Sequence, residues 1–175
     1  MRALAAAAAL ALSAVPAFAA DGQPVVRDCA SSAFGDLGPN WRARAVVAGP
    51  VAFVGLRAGY RGANTAPAGS GRPLNVLVVV DPRTVATLAI RPQSRRVAAL
   101  HYARAQVSQP VAPLAEGTSA VRFEACRVPV SKEPWNAGTQ FPGYFVVNGR
   151  RCVAIEVRAS GQRIWRTLRF GAARC

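Results

Sequence analysis

The chain reads as all-β, an antiparallel immunoglobulin-like β-sandwich. Three observations predict this. From Arg44 onward, short runs rich in Val, Leu and Ile alternate with turn signals every 8–12 residues or so. No long stretch after the first 20 or so residues keeps a helical period. The last runs alternate with a period of two, as a half-buried strand requires.

The opening residues have a different character. Met1-Arg2 supplies a short positive region, residues 3–15 are apolar apart from Ser13, and Pro16 ends the run. Ala17-Phe18-Ala19 then places small residues where a signal peptidase inspects them. Residues 1–19 are therefore expected to be a signal peptide, cleaved after Ala19 or, as second choice, after Ala20. The run is shorter than the ~20 apolar residues that span a bilayer. The longest later apolar run, residues 74–80, has strand length, so no membrane span is expected after cleavage.

What remains is long enough for one domain with one core. Residues 20–43 read as an irregular lead-in to a single sandwich domain spanning 20–175. Residues 45–48 and 51–56 are apolar runs separated by Gly49-Pro50. Residues 57–73, rich in Gly, Ala, Ser and Pro, read as a long exposed loop. The run 74–80 is followed by an Asp81-Pro82-Arg83-Thr84 turn and a partner strand at 85–90. Further runs lie at 97–104 and 119–127. Asn148-Gly149 is a hairpin signal between 144–147 and 152–158. Ser160-Gly161 is a weaker one between 152–158 and 163–170. If Ser160-Gly161 is a two-residue loop, Val157 faces Ile164, Ile155 faces Arg166 and Val153 faces Leu168. Val153, Ile155, Val157, Ile164 and Leu168 then share the core face, with Arg166 alone among them. Glu156, Arg158, Arg163, Trp165 and Arg169 share the outer face.

The charge balance is strongly basic. Without Arg2, 21 of the 22 Lys+Arg remain against 8 Asp+Glu, a net charge of +13. Every cation except Lys132 is Arg. Selection for anion binding explains this, because guanidinium makes forked contacts with phosphate and carboxylate. So does GC-rich codon usage, which enriches Arg, Ala, Gly and Pro together. Both explanations stay open on sequence grounds.

Four cysteines, Cys29, Cys126, Cys152 and Cys175, are expected to form two disulfides in an exported protein. The hairpin register sets Cys152 opposite Arg169. An extended chain then carries Cys175 some 20 Å away. Of the two pairings left, Cys29–Cys152 with Cys126–Cys175 stays open but needs the lead-in to cross to a late strand, and the expected pairing is Cys126–Cys152 with Cys29–Cys175. Zinc needs closely spaced ligand pairs, and the chain has no Cys-x-x-Cys and one His. No metal site or cofactor is expected.

The segments Val121-Arg122-Phe123-x-x-Cys126, Thr139-Gln140-Phe141-Pro142-Gly143-Tyr144-Phe145-Val146-Val147, Arg151-Cys152-Val153 and Phe170-Gly171-Ala172-Ala173-Arg174-Cys175 resemble a group of small exported proteins from GC-rich actinobacteria. The resemblance covers roughly the last third of the mature chain. It implies an architecture and an exported location, and it supplies no catalytic residues.

Candidate chemistry is sparse. His101 is the one base available to a Ser-His-Asp site, yet no Gly-x-Ser-x-Gly elbow accompanies it, and Gly69-Ser70-Gly71 lacks that spacing. Glu124 and Glu156 are the best strand-borne carboxylate pair, and each has an Arg two residues away, as ion pairing also requires. Arg91, Arg95 and Arg96 read as a solvated cluster. The outer face with Arg158, Arg163, Trp165 and Arg169 is the strongest candidate for binding anions, since like charges facing across strands cost stability. A bland alternative is that Arg stems simply cover Trp165. With few aromatics, nucleic acid is not the partner expected.

The function expected is a non-catalytic binding or structural module of the cell envelope or extracellular space. Its partner would be an anionic wall polymer or another exported protein. The alternative is an extracellular hydrolase using His101. One outcome is fixed by the first residues: Edman sequencing of the exported protein is expected to read from Ala20 or Asp21. An intact Met1 on exported material would refute cleavage.

Overall fold

The structure, a computed structural model, describes residues 23–56, 72–103, 114–129, 131–171 and 175. The expected signal segment, nearly all of the expected 57–73 loop and Gly69-Ser70-Gly71 lie outside them. Twelve strands and five short 3-10 turns make up the elements among the described residues. The chain is all-β, with antiparallel pairing in every ladder but one.

The strands are β1 (Val25–Arg27), β2 (Val46–Ala48), β3 (Val51–Val54), β4 (Arg72–Asn75), β5 (Leu77–Val80), β6 (Val85–Ile90), β7 (Ala98–His101), β8 (Ala120–Glu124), β9 (Thr139–Phe141), β10 (Tyr144–Val147), β11 (Arg151–Ala159) and β12 (Gln162–Phe170). They form three sheets, ordered β1-β8-β6-β11-β12, β4-β10-β7 and β2-β3-β5-β9. A single buried cluster draws on all three, including Phe53, Leu88, Phe123, Phe145, Ile155 and Leu168. Phe145 sits among Phe53, Tyr102 and Phe170, with ring centroids 5.6–6.3 Å apart.

The sheets differ in how they meet water. The four-stranded sheet is covered on its second face by a smaller cluster of Trp41, Ala45, Ala52 and Val79, supplied in part by the lead-in. A strand buried on both sides reads as a continuous apolar run, which explains Leu77–Val80. The five-stranded sheet keeps a solvated face, and β6, β8 and β11 alternate accordingly.

The β11–β12 hairpin has the expected register, with Val157 opposite Ile164, Ile155 opposite Arg166 and Val153 opposite Leu168. Ser160 and Gly161 both have positive φ, 49° and 76°, as a type I′ turn demands. Arg166, the misfit on the core side, is exposed at the sheet edge, where its Nε lies 3.5 Å from the Val47 carbonyl of β2.

Four expectations need correction. Asn148-Gly149 does not close a hairpin: β10 pairs with β4 and β7, while β11 pairs with β6 and β12. The turn instead carries the chain from one sheet to another, anchored by the Asn148 N–H donating to Val97 O at 2.8 Å. Likewise the run 74–80 splits between β4 and β5 in different sheets, and β6 is not the partner of β5. The lead-in is not irregular throughout, because β1 lies parallel to β8.

The fourth correction is the disulfide pairing, which is Cys29–Cys126 and Cys152–Cys175. Parallel pairing sets Arg27 beside Phe123, so both chains run on together to cysteines whose Cα atoms are 4.8 Å apart. At the other end Gly171, with φ 62°, turns the chain out of its extended path after Phe170. Cys175 thereby comes within 5.7 Å of Cys152, and the hairpin register survives intact. The assumption that failed was an extended chain beyond Gly171.

The lead-in is held by a buried guanidinium. Arg27 is 3% exposed and donates to the carbonyls of Tyr102, Pro142 (3.3 Å) and Ser31 (2.6 Å) and to Ser31 Oγ (3.0 Å). It also lies 5.9 Å from the Phe141 ring centroid. Tyr102 in turn donates its hydroxyl to Val76 O at 2.8 Å, and burial pushes its phenol well above the usual 10.0, so it stays a donor. A Cβ on Gly143 would come within 2.2 Å of the Tyr102 ring, so only glycine fits there. Arg27→Met would keep the stem but strand these carbonyls. It is expected to lower unfolding free energy by roughly 2–4 kcal/mol in urea titration, against little change for the exposed Val26→Ala.

Candidate anion-binding site

The outer face of the five-stranded sheet is organised by register. Arg122 of β8 pairs with Thr87 of β6, Thr87 with Arg158 of β11, and Arg158 with Arg163 of β12. One row across four strands thus reads Arg, Thr, Arg, Arg. These residues, with Ser160 and the Ser160-Gly161 turn, line an open hollow of about 270 Å³. Guanidinium groups and hydroxyls converging on one hollow present N–H and O–H donors from several directions.

The next row runs Ala120, Ala89, Glu156, Trp165. Glu156 accepts from Arg158 Nε and, at 3.2 Å, from the Trp165 indole N–H, and Arg163 Nε lies 4.0 Å away. The hydrogen bond from Arg158 is the main reason its carboxyl sits below the ordinary 4.5. Burial opposes this, while the indole and the two Arg charges add to it. Glu156 is therefore an internal counter-ion to the basic row. Its contact with Arg158 uses the Nε–H, one of that residue's five guanidinium N–H groups.

Trp165 is 57% exposed, and the Arg91 guanidinium lies 4.9 Å from its ring centroid. This contact corrects the reading of Arg91 as merely solvated. It also gives the covering-layer explanation of Trp165 a specific residue, one not drawn from the candidate set. Arg95 donates to Ile90 O at 3.2 Å.

Of the four candidates, then, Arg158 and Arg163 meet in the hollow. Trp165 stands one row away and does not line it. Arg169 is six residues along β12 from Arg163, about 20 Å, and belongs to no common site with it. Arg122, Thr87 and Ser160 complete the hollow and were not singled out. The places of Arg122 and Thr87 depend on β8–β6 and β6–β11 pairing, which no local signal encodes.

The catalytic alternatives fare differently from this face. His101 is fully buried, and a Cβ on Gly117 would approach its Nε2 to 2.6 Å. A general base must touch its substrate, and this imidazole has no surface. Glu124 and Glu156 are two strands and four residues apart in register, about 16 Å, beyond glycosidase spacing. Glu124 is bridged instead by Arg122 at 2.8 Å. Among the described residues, no group of three His, Cys, Asp or Glu could hold a metal, and no helix is long and apolar enough to cross a membrane.

The Glu156 cluster has a pH consequence. Its folded carboxyl titrates below the unfolded one, so its contribution to stability is full above 4.5 and is lost as pH falls through the depressed value. Thermal melts of Glu156→Gln are expected to show a shallower loss of Tm below pH 4.5 than the wild type. Parallel curves would assign that acid sensitivity to other carboxylates. No protein-family model, no curated protein and no solved structure matches the chain.

Proposed function

We propose that this is an exported, non-catalytic module that binds an anionic polymer of the cell envelope through the outer face of its five-stranded sheet. The observation that carries the reading is the Arg122-Thr87-Arg158-Arg163 row, held in register across four strands and lining one hollow. Like charges opposed across β11 and β12 are a cost to the fold, and an anionic ligand offsets that cost. The net charge of +13 that remains without Arg2 draws polyanions to the surface, while the row gives them a place to bind.

Export is part of the same reading. It is supported by the signal-like opening residues and the resemblance to small exported proteins, and two disulfides are compatible with it. An immunoglobulin-like arrangement is the finer form of the sandwich reading. One core shared by strands of three sheets supports layering. The parallel β1–β8 pair and the division into three sheets stand outside that pattern. The His101 hydrolase has no observation in its favour, because the imidazole is fully buried.

The test compares equal charge losses. Arg158→Ala/Arg163→Ala is expected to elute from phosphocellulose at clearly lower salt than Arg44→Ala/Arg150→Ala. Equal shifts for the two pairs would reduce the binding to diffuse charge and sink the proposal.

A further inference from the structure

A second hollow, about 400 Å³, adjoins the first and shares Val85 with it. It is lined by Arg83, Val85, Glu124, Ala125 and Arg127. Its frame is fixed. The Arg83 N–H donates to Cys126 O at 3.1 Å, the Ala125 N–H to Thr84 O at 2.9 Å, and Cys126 is tied to Cys29. Arg83 Nε donates to the Arg127 carbonyl at 3.2 Å, which holds the side chain at the rim. A non-glycine residue with φ 61°, Arg83 keeps an uncommon backbone conformation at the turn that presents it.

The two hollows follow each other along β8. Arg122 lines the first and Glu124 the second, two residues on, about 7 Å. Arg122 bridges Glu124 at the boundary, which reduces the one negative charge an anion would meet there. Resting on the anion-binding reading of the first hollow, we propose that the pair forms one groove that takes successive phosphate groups of a single linear polymer. Arg122, Arg158 and Arg163 hold one group, and Arg83 and Arg127 the next.

Three features favour phosphate in a chain over a lone small anion. Guanidinium groups and hydroxyls gather around the first hollow from four strands and a turn, matching a tetrahedral oxyanion with several acceptor oxygens. The second hollow repeats the basic lining at a short, fixed offset. The first is framed by sheet and the second by sheet and the Cys29–Cys126 disulfide, so little ordering is lost on binding, and one polymer occupying both gains from effective concentration.

Calorimetric titration with inorganic phosphate and with inorganic polyphosphate tests this. Polyphosphate is expected to bind at least about tenfold more tightly than phosphate at equal phosphorus concentration. Arg83→Ala/Arg127→Ala is expected to weaken polyphosphate binding by about tenfold more than the control Arg44→Ala/Arg150→Ala. The single change Arg127→Gln gives a smaller loss in the same direction and leaves the Arg83 turn untouched. Glu124→Gln is expected to tighten polyphosphate binding. If Arg158→Ala/Arg163→Ala weakens binding but neither Arg83→Ala/Arg127→Ala nor Arg127→Gln does so beyond the control, the second position is wrong while the anion-binding reading stands. If no pair exceeds the control, both fall. Tighter binding of a heparin fragment of equal charge would overturn the assignment to phosphate.

Discussion

The fold depends on a buried cation. A guanidinium taken out of water loses several kcal/mol of solvation unless its donors are satisfied. Arg27 meets this condition by donating to carbonyls from three separate stretches of chain, at Ser31, Tyr102 and Pro142. No two of those stretches are free to drift without exposing either the charge or a carbonyl. The constraint fixes where β1 lies, and β1 lying parallel to β8 brings Cys29 to Cys126. The same lead-in then continues across the four-stranded sheet, where Trp41 closes the second cluster and donates its indole N–H to Trp135 O. Gly35 O accepts from both Asn136 and Gln140 on the way. The first segment of the folded domain is thus an organising strap, although its strand is only three residues long.

The four-stranded sheet is covered by the lead-in, whereas the five-stranded sheet keeps a face in water. Its inner face contributes Leu88, Val121, Ile155 and Leu168 to the core. Its outer face carries whatever the period of two leaves over, and four arginines stand there, Arg122, Arg158, Arg163 and Arg169. Edge placement of β12 adds to this. Arg163, Arg166 and Arg169 line a nine-residue strand at the margin of the sheet. Charged side chains on an edge discourage pairing with another chain. Some of the arginine excess therefore protects the fold, whatever else it does.

How much of this was legible depends on the range of the interaction. The β11–β12 register could be read because a two-residue turn and an alternating pattern lie within about 20 residues of each other. Sheet membership could not. Asn148-Gly149 has hairpin chemistry, but β10 is claimed by β4 and β7, and β11 by β6, so the turn became a crossing. The disulfides failed for a similar reason. Cys29 is brought by a parallel pairing to a cysteine 97 residues away in sequence, and Cys175 by a bend at Gly171 whose direction one glycine does not reveal. In the candidate site, Arg158 and Arg163 were legible because the hairpin opposes them. Arg122 and Thr87 needed the β6–β8 ladder, and Arg91 needed the fold of a loop onto Trp165.

Glu156 shows how a surface with opposed arginines remains stable. Three groups converge on one carboxylate: two arginines that would otherwise repel across the hairpin, and an indole N–H. Removing the carboxylate charge would leave Arg158 opposite Arg163 with no shared partner, on a strand pair where such opposition is unfavourable. Yet the same carboxylate competes with any anion for those guanidinium groups. The position therefore supplies enough negative charge to let the row form, and little enough to leave the row net positive. Glu124 repeats the arrangement with Arg122 on β8, two strands away. Placing each carboxylate two residues from its arginine on the same strand keeps the compensation local, so neither pair depends on the sheet closing correctly before its charges are balanced.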